Sequence, residues 1–391
     1  MNTCEGAGNL SEPAGVRDLV EAGGEARLPA SRLRVTTFGV NDPRWLAFAS
    51  SRAEALIFHH PGWARALMEE YGREPFALAC EDESGAVQGL LPLLETQGLP
   101  FNFGEHVMAR RLASLPRTPV AGPLATGHEA ARLLAEAAIV RAQQAGLTLQ
   151  IKTSAPELDG LVEGMAGVPW KQSYVIRLPE AGEEMRFGNA RRTHRVKWAA
   201  NRAVKLGVSV RWADDERDLR RWYRLYLETL RWHRSLPRPY RFFAALWRNL
   251  QPLNLMRLLL SEHEQELLSG CIYLVSGRIL YCWLNGRRRD GLDLHPNDAL
   301  HWHAMQEACR EGFQIYDFGE VDEDQQGLIE FKTKWGAEPR RSYRYYYPAP
   351  EGLREPGPSS EKYSQRVQTF LWRRLPLALT AAVGDSVYRY L

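Results

Sequence analysis

The densest concentration of reactive side chains is the run Arg191-Arg-Thr-His-Arg-Val-Lys-Trp-Ala-Ala-Asn-Arg-Ala-Val-Lys-Leu-Gly207. On a helix with Arg191 set at zero, Arg195 falls at about 40°, Arg202 at about 20°, Trp198 at about −20° and Lys205 at about −40°. Four cations and one indole therefore share a stripe, while Val196, Ala200, Ala203 and Val204 are free to pack. Like charges four residues apart destabilise a helix, and no acid offsets this stripe, so the pattern calls for an anionic partner. The plain alternative is a solvated basic face.

A second group is formed by Tyr316-Asp-Phe-Gly-Glu320 and Phe331-Lys-Thr-Lys-Trp-Gly-Ala337. The stretch after Asp317 is polar and punctuated by glycine, as a loop over an active site would be. Lys332, walled by Phe331, keeps its charge if an acid or a ligand phosphate lies nearby. Asp317, at a strand end, is its natural partner, or else a helix cap. Asp317, Glu320 and Glu330 are candidates for a general base, with water or a substrate itself as the alternative.

Other chemistries are disfavoured. His301-Trp-His303 lies on an expected helix, where i and i+2 point apart, so the pair reads as packing and polar contact and no metal is expected. There is no GxSxG, Walker or GxGxxG motif. The five cysteines (Cys4, Cys80, Cys271, Cys282, Cys309) are scattered and lack a CxxC pair, which fits a reducing compartment. Arg287-Arg-Arg289 reads as a solvated turn or as the rim of an anionic substrate site.

The elements that must position these groups follow from periodicity and punctuation. A short strand is expected from Leu33, a helix over 60–71 stopped by Gly72, and a hairpin turning at Asp82-Glu-Ser-Gly85. An Ala-rich helix over 129–145 ends at Gly146 and feeds the strand Leu147-Thr-Leu-Gln-Ile, with a further strand at Tyr174-Val-Ile-Arg-Leu. The second half repeats this order: a helix over 219–231, three strands in meander starting near Asn254, Gly270 and Ile279, a helix over 297–311 stopped by Gly312, then the strand at Phe313-Gln-Ile-Tyr-Asp-Phe. A last helix over 362–389 should be kinked by Pro376, with Trp372-Arg-Arg-Leu as a membrane-surface element or a surface packing back on the protein.

At 391 residues the chain is about two domains long, and 45% hydrophobic with 25% charged residues describes a globular protein. A net charge of +3 is too small to indicate DNA binding by itself. Residues 1–32 read as a flexible leader without an apolar run, and a cytoplasmic location is expected. The division expected is a leader (1–32), a first domain (33–178), a second domain (179–348), then a linker and a C-terminal helix packing back (349–391). The fold class is α/β (α+β) with mixed central sheets.

Taken in order, the basic helix 191–207, Leu280-Tyr-Cys-Trp-Leu-Asn-Gly286, His295-Pro-Asn297, Tyr316-Asp-Phe-Gly319 and Phe331-Lys-Thr-Lys-Trp-Gly-Ala337 resemble the FemAB-type branch of the GNAT superfamily, including members found near exopolysaccharide and PEP-CTERM gene clusters. The resemblance implies two tandem GNAT-like domains (the acyl-CoA N-acyltransferase fold). It further implies direct acyl or aminoacyl transfer, without a covalent enzyme intermediate, to an amine of an anionic peptidoglycan, exopolysaccharide or other cell-envelope precursor. The donor would be acyl-CoA or an aminoacyl-tRNA, and contact with a membrane surface is a further expectation. Lys332 matches the family's Phe-Lys position, where it would meet substrate phosphate or the developing charge. Three departures stand out: no coiled-coil arm is inserted, Glu320 replaces a glycine, and a typical acetyl-CoA loop is not evident. The expected catalytic residues are Lys332 and Asp317. The expected substrate-binding residues are Arg191, Arg195, Arg202, Lys205, Trp198, Tyr281 and Phe331. A protein that only binds an anionic envelope glycan or lipid-linked precursor, through the basic stripe and Tyr273, Tyr281 and Trp283, is the competing reading.

Overall fold

The structure, a computed structural model, describes residues 32–98, 110–180, 183, 190–233, 235–349 and 376–388. The leader up to residue 31 and the Trp372 element lie outside them. The first half runs β1 (Arg34–Gly39), α1 (Pro43–Ser51), α2 (Pro61–Tyr71), β2 (Phe76–Glu81), β3 (Val87–Thr96), β4 (Arg111–Ala113), β5 (Leu124–Ala125), α3 (His128–Gln144), β6 (Thr148–Thr153) and β7 (Ala166–Arg177). The second runs α4 (Ala190–Lys205), β8 (Ser209–Trp212), α5 (Glu216–His233), α6 (Tyr240–Leu250), β9 (Met256–His263), β10 (Glu266–Ser276), β11 (Ile279–Arg287), α7 (Pro296–Arg310), β12 (Ile315–Val321), α8 (Gln326–Lys334) and β13 (Glu338–Tyr347), followed by α9 (Leu377–Val387).

Local chemistry sets these boundaries. Asp42 caps α1 by accepting the Arg44 amide, with Pro43 at the first helical position. The β2–β3 hairpin closes because the Asp82 carboxylate accepts the amides of Ser84 and Ala86, while Gly85 supplies a φ of +83°. Of the helix expected over 362–389 the structure describes only α9, which begins at Leu377 with Pro376 as its extended N-cap, and residues 362–375 lie outside the described residues. One expectation is corrected: the stretch after Asp317, expected to be loop-like, contains α8, which carries Phe331 and Lys332.

The strands form one sheet in the order β1-β2-β3-β4-β6-β13-β7-β12-β11-β10-β9-β8, with β5 beside β3. Its two halves match strand for strand. β1 to β4 and β8 to β11 are each antiparallel ladders. Each ladder then makes one parallel step, β4 to β6 across α3 and β11 to β12 across α7. Each half surrenders its last strand to the other: β7 pairs with β12 of the second half, and β13 pairs with β6 of the first. β7 and β13 also pair with one another. This is the α/β architecture of tandem GNAT-like halves with mixed sheets. Among the described residues no helix is long and apolar enough to cross a membrane.

The halves are also tied by charge. Arg238, in the α5–α6 connection, donates from Nε and Nη2 to the Glu70 carboxylate of α2 at 3.0 and 2.6 Å, and its guanidinium lies 3.7 Å from the centre of the Phe242 ring. Both partners are buried. α9 packs beside this junction: Tyr388 lies within cation–π distance of Arg117 and Arg238. Glu70→Ala would leave a buried guanidinium without its counter-charge, so a loss of about 3–5 kcal/mol in urea unfolding is expected. A loss below about 1 kcal/mol would contradict the assigned role.

Candidate active site

β11 and β12 stay parallel for three residue pairs only, Ile279–Ile315, Leu280–Tyr316 and Tyr281–Asp317. β11 then continues to Arg287, whereas β12 bulges against β7 between Asp317 and Glu320, three residues of one strand answering two of the other. Gly319 carries the bulge with φ +74°. A Cβ built on it would lie 2.9 Å from the Cys282 carbonyl oxygen and 3.2 Å from Tyr281 Oη. Only glycine fits both the conformation and the space.

Three side chains converge there. Asp317 Oδ1 accepts the Gly319 amide at 2.8 Å and the Ser173 hydroxyl of β7. Lys332, projecting from α8, donates to the Gly319 carbonyl at 2.7 Å and to that of Glu320 at 3.3 Å. Tyr281 closes the cluster from β11. Burial lowers the Lys332 ammonium to about 8, although Cys282, Asp317 and Glu320 act to keep it charged. Burial raises Asp317 despite its hydrogen bonds from Ser173 and Gly319 and the nearby Lys332. Burial, then the carboxylates of Asp317 and Glu320, hold the Tyr281 phenol well above its ordinary range, so it stays a neutral donor. An ammonium has three N–H groups. Two are taken by strand carbonyls, and the Tyr174 ring centre lies 5.8 Å from the nitrogen.

A cationic cradle adjoins this cluster. Lys152 of β6 and Arg344 of β13 are 2% and 7% exposed, and Arg111 of β4 is half-buried. The Lys152 ammonium donates to the Leu115 carbonyl, and Arg344 donates to that of Pro119 at 2.8 Å. Burial, then Arg344 and Arg111, hold the Lys152 ammonium well below its ordinary value. Burial lowers Arg344 to about 10 against the pull of Glu320, and burial together with Arg117 lowers Arg111. Glu320, which accepts the Ser342 hydroxyl at 2.9 Å, acts electrostatically on Lys332, Lys152 and Arg344 alike. Lys332, Lys152 and Arg344 thus share the field of Glu320, and Asp317 acts on Lys332 as well.

The sequence-derived candidates are therefore only partly assembled. Lys332, Asp317 and Tyr281 meet, and Glu320 joins them. Phe331 turns the other way, packing among His301, Phe318 and Trp335 with the Lys334 ammonium 4.3 Å from its ring centre. Arg195, Trp198, Arg202 and Lys205 lie exposed on α4 and make no hydrogen bond, ion pair or ring contact with the Lys332 cluster. The side chain of Arg191 lies outside the described residues. His301 is buried, sharing a hydrogen bond with Tyr316 Oη at 2.6 Å, its imidazole lowered to about 3 by burial and by Lys334 and Lys332. The 287–289 run divides: Arg288 pairs with Glu266 and Asp290, while Arg287 and Arg289 line an open cavity of about 450 Å³ in which Arg289 stacks on Trp232. Among the described residues no cluster of three or more His, Cys, Asp or Glu is placed to hold a metal. Ser173, Lys152, Arg344 and Arg111 were not anticipated. The signal available was charge inside strand patterns, Gln150-Ile-Lys152 and the arginines spaced through Arg340-Arg-Ser-Tyr-Arg344.

Residues 188–333 match the family of acetyltransferase (GNAT) domains, so the second half is such a domain. No curated protein matches the sequence. Among solved structures the chain is similar to FemX, with TM-score 0.61 at 16% identity over 79% of this chain and 96% of FemX. It is also similar to L-PGS from Bacillus licheniformis, with TM-score 0.54 at 13% identity over 86% and 99% of the two chains. These likenesses agree with the FemAB-type resemblance of the motifs and establish the shared fold.

The buried ammonium has a measurable signature. Its folded value, about 8, lies below the ordinary value near 10.4. Between the two the unfolded chain holds more of this proton, so stability rises with pH across that window, on the order of 3 kcal/mol for the full shift. Urea unfolding of the native protein against Lys332→Met from pH 7 to 10.5 is expected to show this rise in the native protein only. Parallel curves would mean that Lys332 is not held as described.

Proposed function

We propose that this chain, a GNAT domain joined to a second GNAT-like half on the fold shared with FemX, transfers an activated acyl or aminoacyl group to an amine of a phosphate-bearing envelope precursor. The observation that carries the reading is the placement of Lys332, Asp317 and Tyr281 where two parallel strands part, beside the buried cations Lys152 and Arg344. A donor carbonyl in that gap would lie against the Lys332 ammonium. A phosphate of the acceptor in the cradle of Lys152, Arg344 and Arg111 would hold the amine nearby. The likeness to the C-terminal domain of a putative lysylphosphatidylglycerol synthetase from Agrobacterium fabrum, with TM-score 0.51 at 12% identity, supports an acceptor from the envelope.

In the proposed step the amine nitrogen attacks the carbonyl carbon. A C–N bond forms, the C–S or C–O bond to the donor breaks, and the departing thiolate or alkoxide takes a proton. Asp317, its carboxyl raised by burial, is suited to receive the proton the amine loses. The Lys332 ammonium faces the transient oxyanion, an interaction worth roughly 2.7–4 kcal/mol in comparable sites. Holding both substrates together lowers the barrier by up to roughly 7–11 kcal/mol. Neither the thioester of an acyl-CoA nor the ester of an aminoacyl-tRNA requires a covalent enzyme intermediate.

The test is to present purified protein with acetyl-CoA, longer acyl-CoA or charged tRNA as donor, and with phosphate-bearing amines as acceptor. With the productive pair, Lys332→Met should lower kcat about 10²–10³-fold. Arg344→Met should instead raise the acceptor KM about tenfold or more, as expected for loss of a charge-assisted hydrogen bond. Retained binding of the phosphate-bearing amine without transfer from any donor would replace the transferase reading with that of a binding protein.

A further inference from the structure

The segment between β4 and β5 is held in a conformation that its side chains do not favour. Leu115 and Arg117 both lie in the left-handed region, at φ +51° and +54°, which costs energy for residues other than glycine. Three cations from three other segments fix it there. Lys152 of β6 donates to the Leu115 carbonyl, Arg238 to that of Arg117 at 3.3 Å, and Arg344 of β13 to that of Pro119 at 2.8 Å. The Arg117 side chain is left exposed. Its guanidinium lies 5.4 Å from the Tyr388 ring centre and pairs with no carboxylate among the described residues.

Tyr71, the last residue of α2, stands beside this segment. The Arg238 guanidinium that reaches the Arg117 carbonyl also holds the carboxylate of Glu70, the residue before Tyr71. Tyr71 is 5% exposed, and its Oη has no hydrogen-bond partner among the described residues. Each of the other seven buried tyrosines there, from Tyr174 to Tyr388, makes a hydrogen bond through Oη. A buried hydroxyl without a partner has given up water and gained no acceptor, so the exception calls for a cause. Burial, then Glu70, raises the Tyr71 phenol against the pull of Arg238 and Arg117, so it stays protonated and can donate. Arg117 acts on Lys152 and, together with Tyr71, on Arg111. The orphan hydroxyl therefore borders the cationic cradle.

The shape of the missing acceptor follows from its neighbours. Tyr71, Arg117 and Arg111 come from a helix end, a loop and a strand, so their donors arrive from separate directions. A tetrahedral phosphate offers oxygens to all of them, whereas a planar carboxylate is matched by one guanidinium. We propose that Tyr71 and Arg117 are ligands of the acceptor's phosphate, the phenol donating to one oxygen and the guanidinium to another, and that they complete the cradle of Lys152, Arg344 and Arg111. The inference rests on the acyl-transfer reading for the identity of the ligand, but the binding it describes requires no donor.

Thermal unfolding and calorimetric titration of the full chain, without any acyl donor and at constant ionic strength, test this with inorganic phosphate, phosphoethanolamine and acetate. Phosphate should raise the unfolding midpoint saturably, phosphoethanolamine should bind at least as tightly, and acetate should have no saturable effect. Tyr71→Phe should weaken phosphate binding about tenfold or more, the loss of one hydrogen bond to a charged group. Its midpoint without phosphate should equal or exceed that of the native protein, because the deleted hydroxyl had no partner. Arg117→Gln should weaken binding by a similar factor. A lowered midpoint of Tyr71→Phe without phosphate, unaltered phosphate affinity in either variant, or equal stabilisation by acetate overturns the proposal. Phosphate bound more tightly than phosphoethanolamine assigns the site to the free ion and overturns it as well. If Arg344→Met abolishes phosphate binding while Tyr71→Phe leaves it unchanged, the cradle of the acyl-transfer reading stands and this inference alone falls. Transfer that fails with every donor, while Tyr71-dependent phosphate binding persists, removes that reading and leaves the phosphate site.

Discussion

A buried ammonium fastened to two strand carbonyls is the interaction around which the second half is arranged. Lys332 reaches from α8 to the carbonyls of Gly319 and Glu320 and so fixes the bulge that ends the pairing of β11 with β12. Without that tie the bulge would expose unsatisfied carbonyls in a region with little water to accept them. The bulge in turn turns the Asp317 carboxylate back onto the Gly319 amide and brings it to Ser173. One lysine therefore both shapes the gap and supplies its charge.

The duplication explains why the partners come from so far along the chain. Each half ends its ladder with a parallel step, and each step needs an antiparallel strand on its open side. The two halves meet that need by exchanging their last strands. The exchange delivers Ser173 on β7 to Asp317, and Ser342 and Arg344 on β13 to Glu320 and the β6 lysine. A second buried lysine lies beside the parallel step of the first half, Lys152, although it stands on strand β6 and Lys332 on helix α8. Both are buried, Lys332 donating to two backbone carbonyls and Lys152 to one. Their environments separate them, since Lys152 faces Arg344 and Arg111 whereas Lys332 faces Asp317.

Much of this was legible in the sequence because it is local. Glycine stops, the Asp82–Gly85 turn and the apolar periods placed most of the ladder strands and the long helices. Motif spacing singled out Lys332 and Asp317, which do meet. What escaped depends on pairing between distant segments. The Tyr-rich run of β13 has no periodic neighbour in sequence to mark it as the strand between β6 and β7. Lys152 and Arg344 read as ordinary charges until the exchange buries them together. Phe331 was chosen for standing beside Lys332, but successive residues on a helix point about 100° apart, and it turns into the core. The α4 stripe was visible as charge on a helical wheel. That helix packs on α7 and also touches α8.

The central claim is spatial: the reacting carbonyl occupies the gap between β11 and β12, against Lys332. A crystal structure with a bisubstrate compound, the acceptor amine joined covalently to the donor's acyl carbon, measures this directly. The account predicts the acyl oxygen at hydrogen-bond distance from Lys332 Nζ, about 3 Å, with the acceptor phosphate among Lys152, Arg344 and Arg111. An acyl oxygen bound on another face, with Lys332 still donating only to the carbonyls of Gly319 and Glu320, would contradict it.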